Sequence, residues 1–439
     1  MDLGLCNDFL QEAGGKQMKA SFISSLKNKA SLKHVAVLSS GSLIAQLLTF
    51  ACSPILTRLY TTEVVGVFTF VLSIVSMFSG VICLRYDVSI VTSGKRSFGP
   101  LLKACAIVTV LLSLVVSIGS FLFVYFTQAL DRSHLWAVLF VFPLLVIAGL
   151  INVLNGCNNK DEQYKAISKA YIGRSAIQNM VMVFGGFIAP TALTLLFSQL
   201  FGQFAGLKTQ LKGVGEKWKS GLVADWQEVK LIMIENKAQA LFSTPATLLN
   251  AASYSLVSLC VGNVYGMAIL GLYSVSFRVL GAPLSVFSSN IAKVHCKQAE
   301  SEMAECSSYL KSTLKMVGIA LVIILPIGLV LLLFSPQAFA FLFGSEWREA
   351  GVYVQILIPM FCLRFIAGSV GFGFYLSKKQ WQEMIIQALL LVTLFGVVIV
   401  SNSLSGDVTF FLTSLSVTWS VVYAIEIALF LANAKKGCQ

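Results

Sequence analysis

The chain has 439 residues, 56% of them hydrophobic and 12% charged, where a soluble domain carries roughly 25% charged residues. Too few polar side chains are present to coat a water-facing surface, so lipid is the solvent for most of the protein. Its apolar runs are continuous over about twenty residues, which fits membrane-spanning helices and excludes the short alternating strands of a barrel. A formal net charge of +12 would point to nucleic acid in a soluble protein; here the basic residues punctuate apolar runs, and that placement excludes such a partner.

Residues 1–17 carry Asp2, Asp8 and Glu12 and lack the basic-then-apolar order of a signal peptide. From Met18 the chain turns basic and flows into the first apolar run. Either Met18 is the natural start, or the extension belongs to a disordered cytoplasmic tail, residues 1–33. Windows of about nineteen residues then predict spans near 35–57, 64–86, 100–127, 135–155, 166–188 and 190–207. A polar linker, 208–238, separates them from a second set near 239–261, 267–291, 313–334, 350–376, 383–401 and 408–432. Span 166–188 has the weakest pattern, because Lys169, Arg174, Gln178 and Asn179 interrupt it.

Lysine and arginine check this order independently, since basic residues stay on the cytoplasmic side. With the amino terminus inside, cytoplasmic segments hold 26 of the 32, and the external loops hold only Arg58, Arg132 and Arg348. The other three, Arg85, Arg278 and Arg364, fall in or near apolar spans. Both termini and the linker are therefore expected in the cytoplasm. Tyr60-x5-Gly66-Val-Phe68 recurs as Tyr265-x5-Gly271-Leu-Tyr273 at an offset of 205 residues, each time between the first and second spans of a set. Six spans per set make both halves enter the membrane in the same direction, so the repeat is parallel, with its axis along the membrane normal. The expected fold is an all-α polytopic membrane protein with about twelve transmembrane helices. An N-lobe of six spans (34–207), the linker 208–238, a C-lobe of six (239–432) and a tail (433–439) would flank a central cleft.

No catalytic constellation is visible. His34, His134 and His295 sit at the edges of different spans at no metal-ligand spacing, and no Gly-rich phosphate loop or long external segment appears. None of the ten cysteines shows paired spacing, so they read as small core hydrophobes. Neither metal, cofactor nor enzyme activity is expected.

Charges inside the membrane are the informative residues. Each costs about 2.5–3.5 kcal/mol at mid-span, so it faces a cavity or a partner. Arg278 lies seven residues after Gly271, about 10 Å into its helix. Arg364 is near the middle or inner half of its span, and Arg174 enters span five. Arg85 nears the inner end of span two with Asp87 beside it, and Glu426 lies toward the inner end of the last span. Bland readings stand beside the functional one: an Arg85–Asp87 interfacial pair, a snorkelling Arg174, and salt bridges from Arg278 or Arg364 to a group such as Glu426. More arginine than carboxylate argues for an anionic ligand, because guanidinium grips phosphate bidentately and stays charged when buried. A cation-coupled drug exporter should bury carboxylates instead, and span 35–57 has none.

Pro54-Ile-Leu-Thr-Arg58-Leu-Tyr60-Thr-Thr-Glu63-x2-Gly66-Val-Phe68, followed by Leu84-Arg85-Tyr86-Asp87-x-Ser-Ile-Val91, resembles the opening of bacterial polysaccharide-transporter flippases. These are the O-antigen and capsule flippases of the multidrug/oligosaccharidyl-lipid/polysaccharide exporter (MOP) superfamily. Leu270-Gly271-Leu-Tyr273-Ser-x-Ser-Phe-Arg278-Val-Leu-Gly281-Ala-Pro283 is similar to the matching stretch of their second half. Thr62 stands where such proteins often have proline, and Asp87 where glutamate is common. The resemblance implies an inner-membrane flippase that moves an undecaprenyl-pyrophosphate-linked oligosaccharide from the cytoplasmic to the periplasmic leaflet. It also implies alternating access around a cationic cavity, and a polysaccharide polymerase and chain-length regulator as partners. The expected pyrophosphate ligands are Arg278 and Arg364, with Arg85 or Arg174 nearer the cytoplasm; Asp87 and Glu426 are possible charge partners. A multidrug exporter of the same superfamily is the alternative. A membrane polymerase or ligase is a further one, disfavoured by external loops of about fifteen residues or fewer.

Overall fold

The computed structural model describes residues 40–219, 223–306 and 308–436; the predicted tail 1–33 lies outside them. Twelve of the described helices have eighteen residues or more. In chain order the helices are α1 (Ser40–Leu59), α2 (Thr62–Ser79), a short α3 (Tyr86–Thr92), α4 (Lys95–Thr127), α5 (Val141–Lys160), α6 (Tyr164–Ile188) and α7 (Ala192–Val214). After the linker, which carries α8 (Trp226–Glu235), come α9 (Thr244–Tyr265), α10 (Met267–Cys306), α11 (Leu310–Phe343), α12 (Arg348–Ser369), α13 (Gln380–Ser403) and α14 (Val408–Lys436). Among the described residues, ten helices are long and apolar enough to cross a membrane. The long helices outside that set are α6 and α7, whose apolar character is diluted by Lys165, Lys169 and Arg174, and by Gln199, Gln203, Lys208 and Lys212. The chain is an all-α polytopic membrane protein.

Span two departs from the straight helix 64–86 that its apolar run predicts. Helix α2 stops at Ser79, and Leu84 and Arg85 take left-handed φ values of 49° and 61° before α3 begins. The hydroxyls of Ser76 and Ser79 bond back to the carbonyls of Ser73 and Ser76 at 3.0 and 3.2 Å. Such local bonds offer the backbone an alternative to the helix ladder just ahead of Gly80. Two successive non-glycine residues in this region store about 1–2 kcal/mol each.

Helices α6 and α7 pack closely through Gly202 and Gly206, one turn apart on α7. A Cβ at Gly202 would lie 2.7 Å from the Gln178 Cβ and 2.9 Å from the Arg174 carbonyl. Small residues four apart let two backbones approach in this way. That closeness fixes the helix that carries Arg174.

The two Tyr/Gly turns of the repeat meet. A Cβ on Gly66 would overlap the carbonyl of Met267, and one on Gly271 would overlap the carbonyl of Thr62. Thr62 and Met267 stand at the same 205-residue offset as the glycines, so α2 and α10 present equivalent surfaces to each other, the contact a two-fold relation generates. Around this crossing one end of the molecule is tied shut. Trp347 donates its buried indole N–H to the Thr57 carbonyl at 2.8 Å, and Arg58 reaches the Phe341 carbonyl at 3.4 Å. Deeper in, the hydroxyls of Ser76 on α2 and Ser255 on α9 meet at 3.0 Å.

Candidate functional site

Beneath the closed end lie four adjoining cavities of about 220, 440, 450 and 210 Å³. They share lining residues and form one cleft: three lie between helices of the first set (α1, α2, α6, α7) and of the second (α9, α10, α12), and the 220 Å³ one opens from them into the second set, among α9, α10, α12, α13 and α14. Arg278 on α10 lines three of them. Its helix crosses α2 at Gly271, so the guanidinium stands two turns below the seal, where both sets of helices face it.

Arg174 on α6 lines the 450 Å³ chamber with Arg278, Gln46 and Gln178. The wall beside it is a hydrogen-bonded polar strip. The Thr49 and Ser175 hydroxyls meet at 2.9 Å, Ser175 donates to the Ala45 carbonyl at 2.8 Å, and Asn179 donates to the Ser175 carbonyl at 2.7 Å. Serines 73, 76, 258, 274 and 285 give the 440 Å³ chamber the same character. Among the described residues, no aspartate or glutamate lines any of the three chambers that Arg278 enters. A half-buried guanidinium whose walls carry hydroxyls, amides and further arginines is arranged to receive an anion, since among the described residues no carboxylate in those walls competes for it.

Arg364 on α12 lines the 220 and 440 Å³ chambers. Its guanidinium carbon lies 4.3 Å from the Tyr254 ring centroid, 5.4 Å from that of Phe361 and 5.7 Å from that of Phe277. Three ring faces hold the charge in place by cation–π attraction. Its Nη1 is buried without a hydrogen-bond partner, so that nitrogen is not engaged in a bridge to Glu426, which lines the same chamber.

Arg85 lines none of the four cavities. It sits in the break of span two, and its Nε and the Oδ1 of Asp87 are each buried without a hydrogen-bond partner. Of the glutamines and asparagines that interrupt spans one and five, Gln46, Gln178 and Asn179 reach the cleft walls. Tyr254, Gln387 and Tyr423 also line the cleft, and nothing in the sequence marks them. The only local signal is Phe361 one turn before Arg364, and Phe277 beside Arg278. Away from the cleft, at the closed end, the fold brings ligand atoms of Glu63, Asp131 and His134 within 4.8 Å of one another, a grouping that their sequence separation conceals.

Residues 100–352 match the family of polysaccharide biosynthesis proteins, over more than half of the chain. No curated protein sequence matches. Among solved structures, the Lipid II flippase MurJ in its inward closed conformation superposes with a TM-score of 0.70 at 11% identity, over 90% of this chain and 87% of that one. A MOP superfamily transporter from Pyrococcus furiosus Vc1, described by the reverse polarity of its binding pocket, gives 0.54 at 13% identity, covering 91% and 94%. An inward-facing multidrug resistance MATE family transporter of the same superfamily gives 0.52 at 12%, covering 90% and 92%. The fold is thus the one shared by MOP-superfamily flippases and exporters, and the chain belongs to the polysaccharide biosynthesis protein family.

Proposed function

We propose that the protein is a flippase of the bacterial inner membrane. It moves an undecaprenyl-pyrophosphate-linked oligosaccharide, such as an O-antigen repeat unit destined for lipopolysaccharide, from the cytoplasmic to the periplasmic leaflet by alternating access. The observation that carries this reading is the acid-free stretch of cleft around Arg278 and Arg174, walled by both sets of helices and sealed at one end. Membership of a polysaccharide biosynthesis family supports a sugar cargo. In this scheme the pyrophosphate rests against Arg278 with Arg174 and Arg364 on either side, and the polyprenyl tail stays in lipid. A rocking motion of the two halves would expose the same arginines to one leaflet and then the other. A polymerase and a chain-length regulator would take up the product outside.

A multidrug resistance MATE family transporter has a similar fold, and the alternative reading is a cation-coupled drug exporter. It needs carboxylates to gather cations, and α1 carries none, which favours the flippase. The test is depletion in the native host. The flippase reading expects lipid-linked oligosaccharide to accumulate, facing the cytoplasm, while surface polysaccharide is lost. Restoration by wild type and not by Arg278→Ala completes the expected result. Normal surface display after depletion would rule the function out.

A further inference from the structure

Away from the cleft, the first set of helices holds a separate chamber of about 500 Å³, which shares no lining residue with the other four. Helices α4 and α7 both pack on α5 and form its walls, and the turn Gly215–Lys219 crosses from the end of α7 to α4. Leucines 102, 150, 154, 207 and 211 make the interior apolar. Lys103 is the one charged residue in the lining, and its ammonium donates to the Ala224 carbonyl at 2.8 Å. Exposed Trp218 stands in the wall beside it. Lys208 and Lys212, both exposed, each follow a lining leucine on α7. The chamber occupies the basic end of its helices. Lys103 is eight residues past the start of α4 at Lys95, and Leu150 ten residues before the end of α5 at Lys160. At 1.5 Å per residue they lie about 12 and 15 Å in, about the depth of one leaflet of a hydrocarbon core of about 30 Å.

We infer that this chamber binds one anionic glycerophospholipid of the leaflet on the basic side, with an acyl chain between α4 and α7 and its phosphate on Lys103, Lys208 and Lys212. Each part of the chamber meets a part of such a lipid. The leucine walls match the chain. Lys103 carries three N–H donors and spends one on Ala224; apolar walls offer nothing to the others, whereas phosphate oxygens accept them. The lysine stem lies along the apolar wall while its charge reaches the headgroup level, and tryptophan favours that same level. A zwitterionic lipid also has a phosphate, but its own cation is repelled by three lysines, so the anionic headgroup is preferred. A bare polyprenyl chain would satisfy the leucines and leave the lysines without a role. Trp218 and Ala224 both belong to the linker 208–238, so the bound lipid also holds the linker against α4.

The test uses the purified full chain in phosphatidylcholine nanodiscs that carry a small fraction of either phosphatidylglycerol or phosphatidylcholine brominated on its acyl chains. Bromine quenches indole fluorescence at contact, and subtracting the signal of Trp218→Phe isolates Trp218. Brominated phosphatidylglycerol should half-quench Trp218 at a mole fraction at least about fivefold lower than brominated phosphatidylcholine requires. Lys103→Gln keeps a donor for Ala224 and loses the charge, so it should cut that preference about fivefold. Ala106→Leu adds bulk to the lining and should weaken quenching by both lipids. Equal quenching by the two lipids in wild type, or a preference that survives Lys103→Gln, would overturn the site. Relief of quenching by unlabelled, uncharged undecaprenol would assign the groove to a polyprenyl chain and overturn it as well.

Discussion

Arg278 carries the most weight of any single side chain, because among the described residues it alone lines three chambers of the cleft and no carboxylate shares them. Hydrogen bonds to charged groups contribute about 1.5–3 kcal/mol, so Arg278→Ala should weaken binding of undecaprenyl pyrophosphate by about 10- to 100-fold. Protein abundance in the membrane should stay near normal. Arg278→Lys should recover part of the loss, keeping the charge without the bidentate fork. Titration of the lipid against each variant, beside immunoblots of membranes, checks both statements; an alanine variant that binds like wild type removes the residue from the mechanism. Arg278, Arg364 and Arg174 were legible in the sequence because a guanidinium within an apolar run is costly unless it faces a cavity or a partner. Tyr254, Gln387 and Tyr423 were not, since single polar residues in a span serve as often between helices as toward a cavity. Arg85 was equally conspicuous in the sequence, yet the left-handed turn carries it into the broken part of span two.

At the scale of elements, the crossing of α2 and α10 is the feature most sensitive to a methyl group. Gly66→Ala and Gly271→Ala each drive a Cβ into a backbone carbonyl of the partner helix. Backbone cannot swing aside as a side chain does, so both variants should loosen the sealed end, and by similar amounts because the contact is reciprocal. A cysteine at Ser274, which is buried and lines the cleft below the seal, should react faster with a membrane-impermeant maleimide in either variant. Unchanged labelling in both would show that this crossing does not gate access. Most helix starts followed from hydropathy to within a few residues, whereas α7, α10 and α11 run 7, 15 and 9 residues past the expected ends at 207, 291 and 334, because a helix continues through polar turns beyond the apolar run. The break after α2 was not foreseen, because hydroxyl back-bonding leaves no mark on apolar periodicity.

Helix α14 shows a second local device. The Asp407 carboxylate accepts the Phe410 N–H at 2.9 Å and the Thr409 hydroxyl at 2.7 Å, and these bonds hold its pKa below the ordinary carboxylate range. A depressed folded-state pKa stabilises above the unfolded value of about 3.9 and ceases to do so as pH falls through the folded value. Asp407→Ala should therefore lower the unfolding temperature at neutral pH, with the gap to wild type closing below about pH 4. A gap that is independent of pH would show that the loss is steric and not capping.

For the whole molecule, the parallel repeat that the sequence leads one to expect and the distribution of basic residues bear on one another. A polytopic chain whose linker and termini carry most of its lysines should keep them all on one side. Reporter fusions at Lys217 and after the last helix should both report the cytoplasm, and periplasmic activity at either would overturn the orientation. The two Tyr/Gly turns were legible as a recurring pattern, and they meet at one crossing because tight helix contacts need glycine whatever surrounds them. A central cleft was expected as well, but most of the residues that wall it were not foreseen, since they come from helices far apart in the chain.

Transport itself is measured most directly in proteoliposomes carrying the purified chain and a fluorescent undecaprenyl-pyrophosphate-linked oligosaccharide. A membrane-impermeant quencher follows how much label reaches the far leaflet. A flippase built on the Arg278 cleft should move the oligosaccharide lipid far faster than empty liposomes do, and Arg278→Ala should return the rate to the empty-liposome value. Equal rates with and without protein, or full activity in the alanine variant, would contradict it.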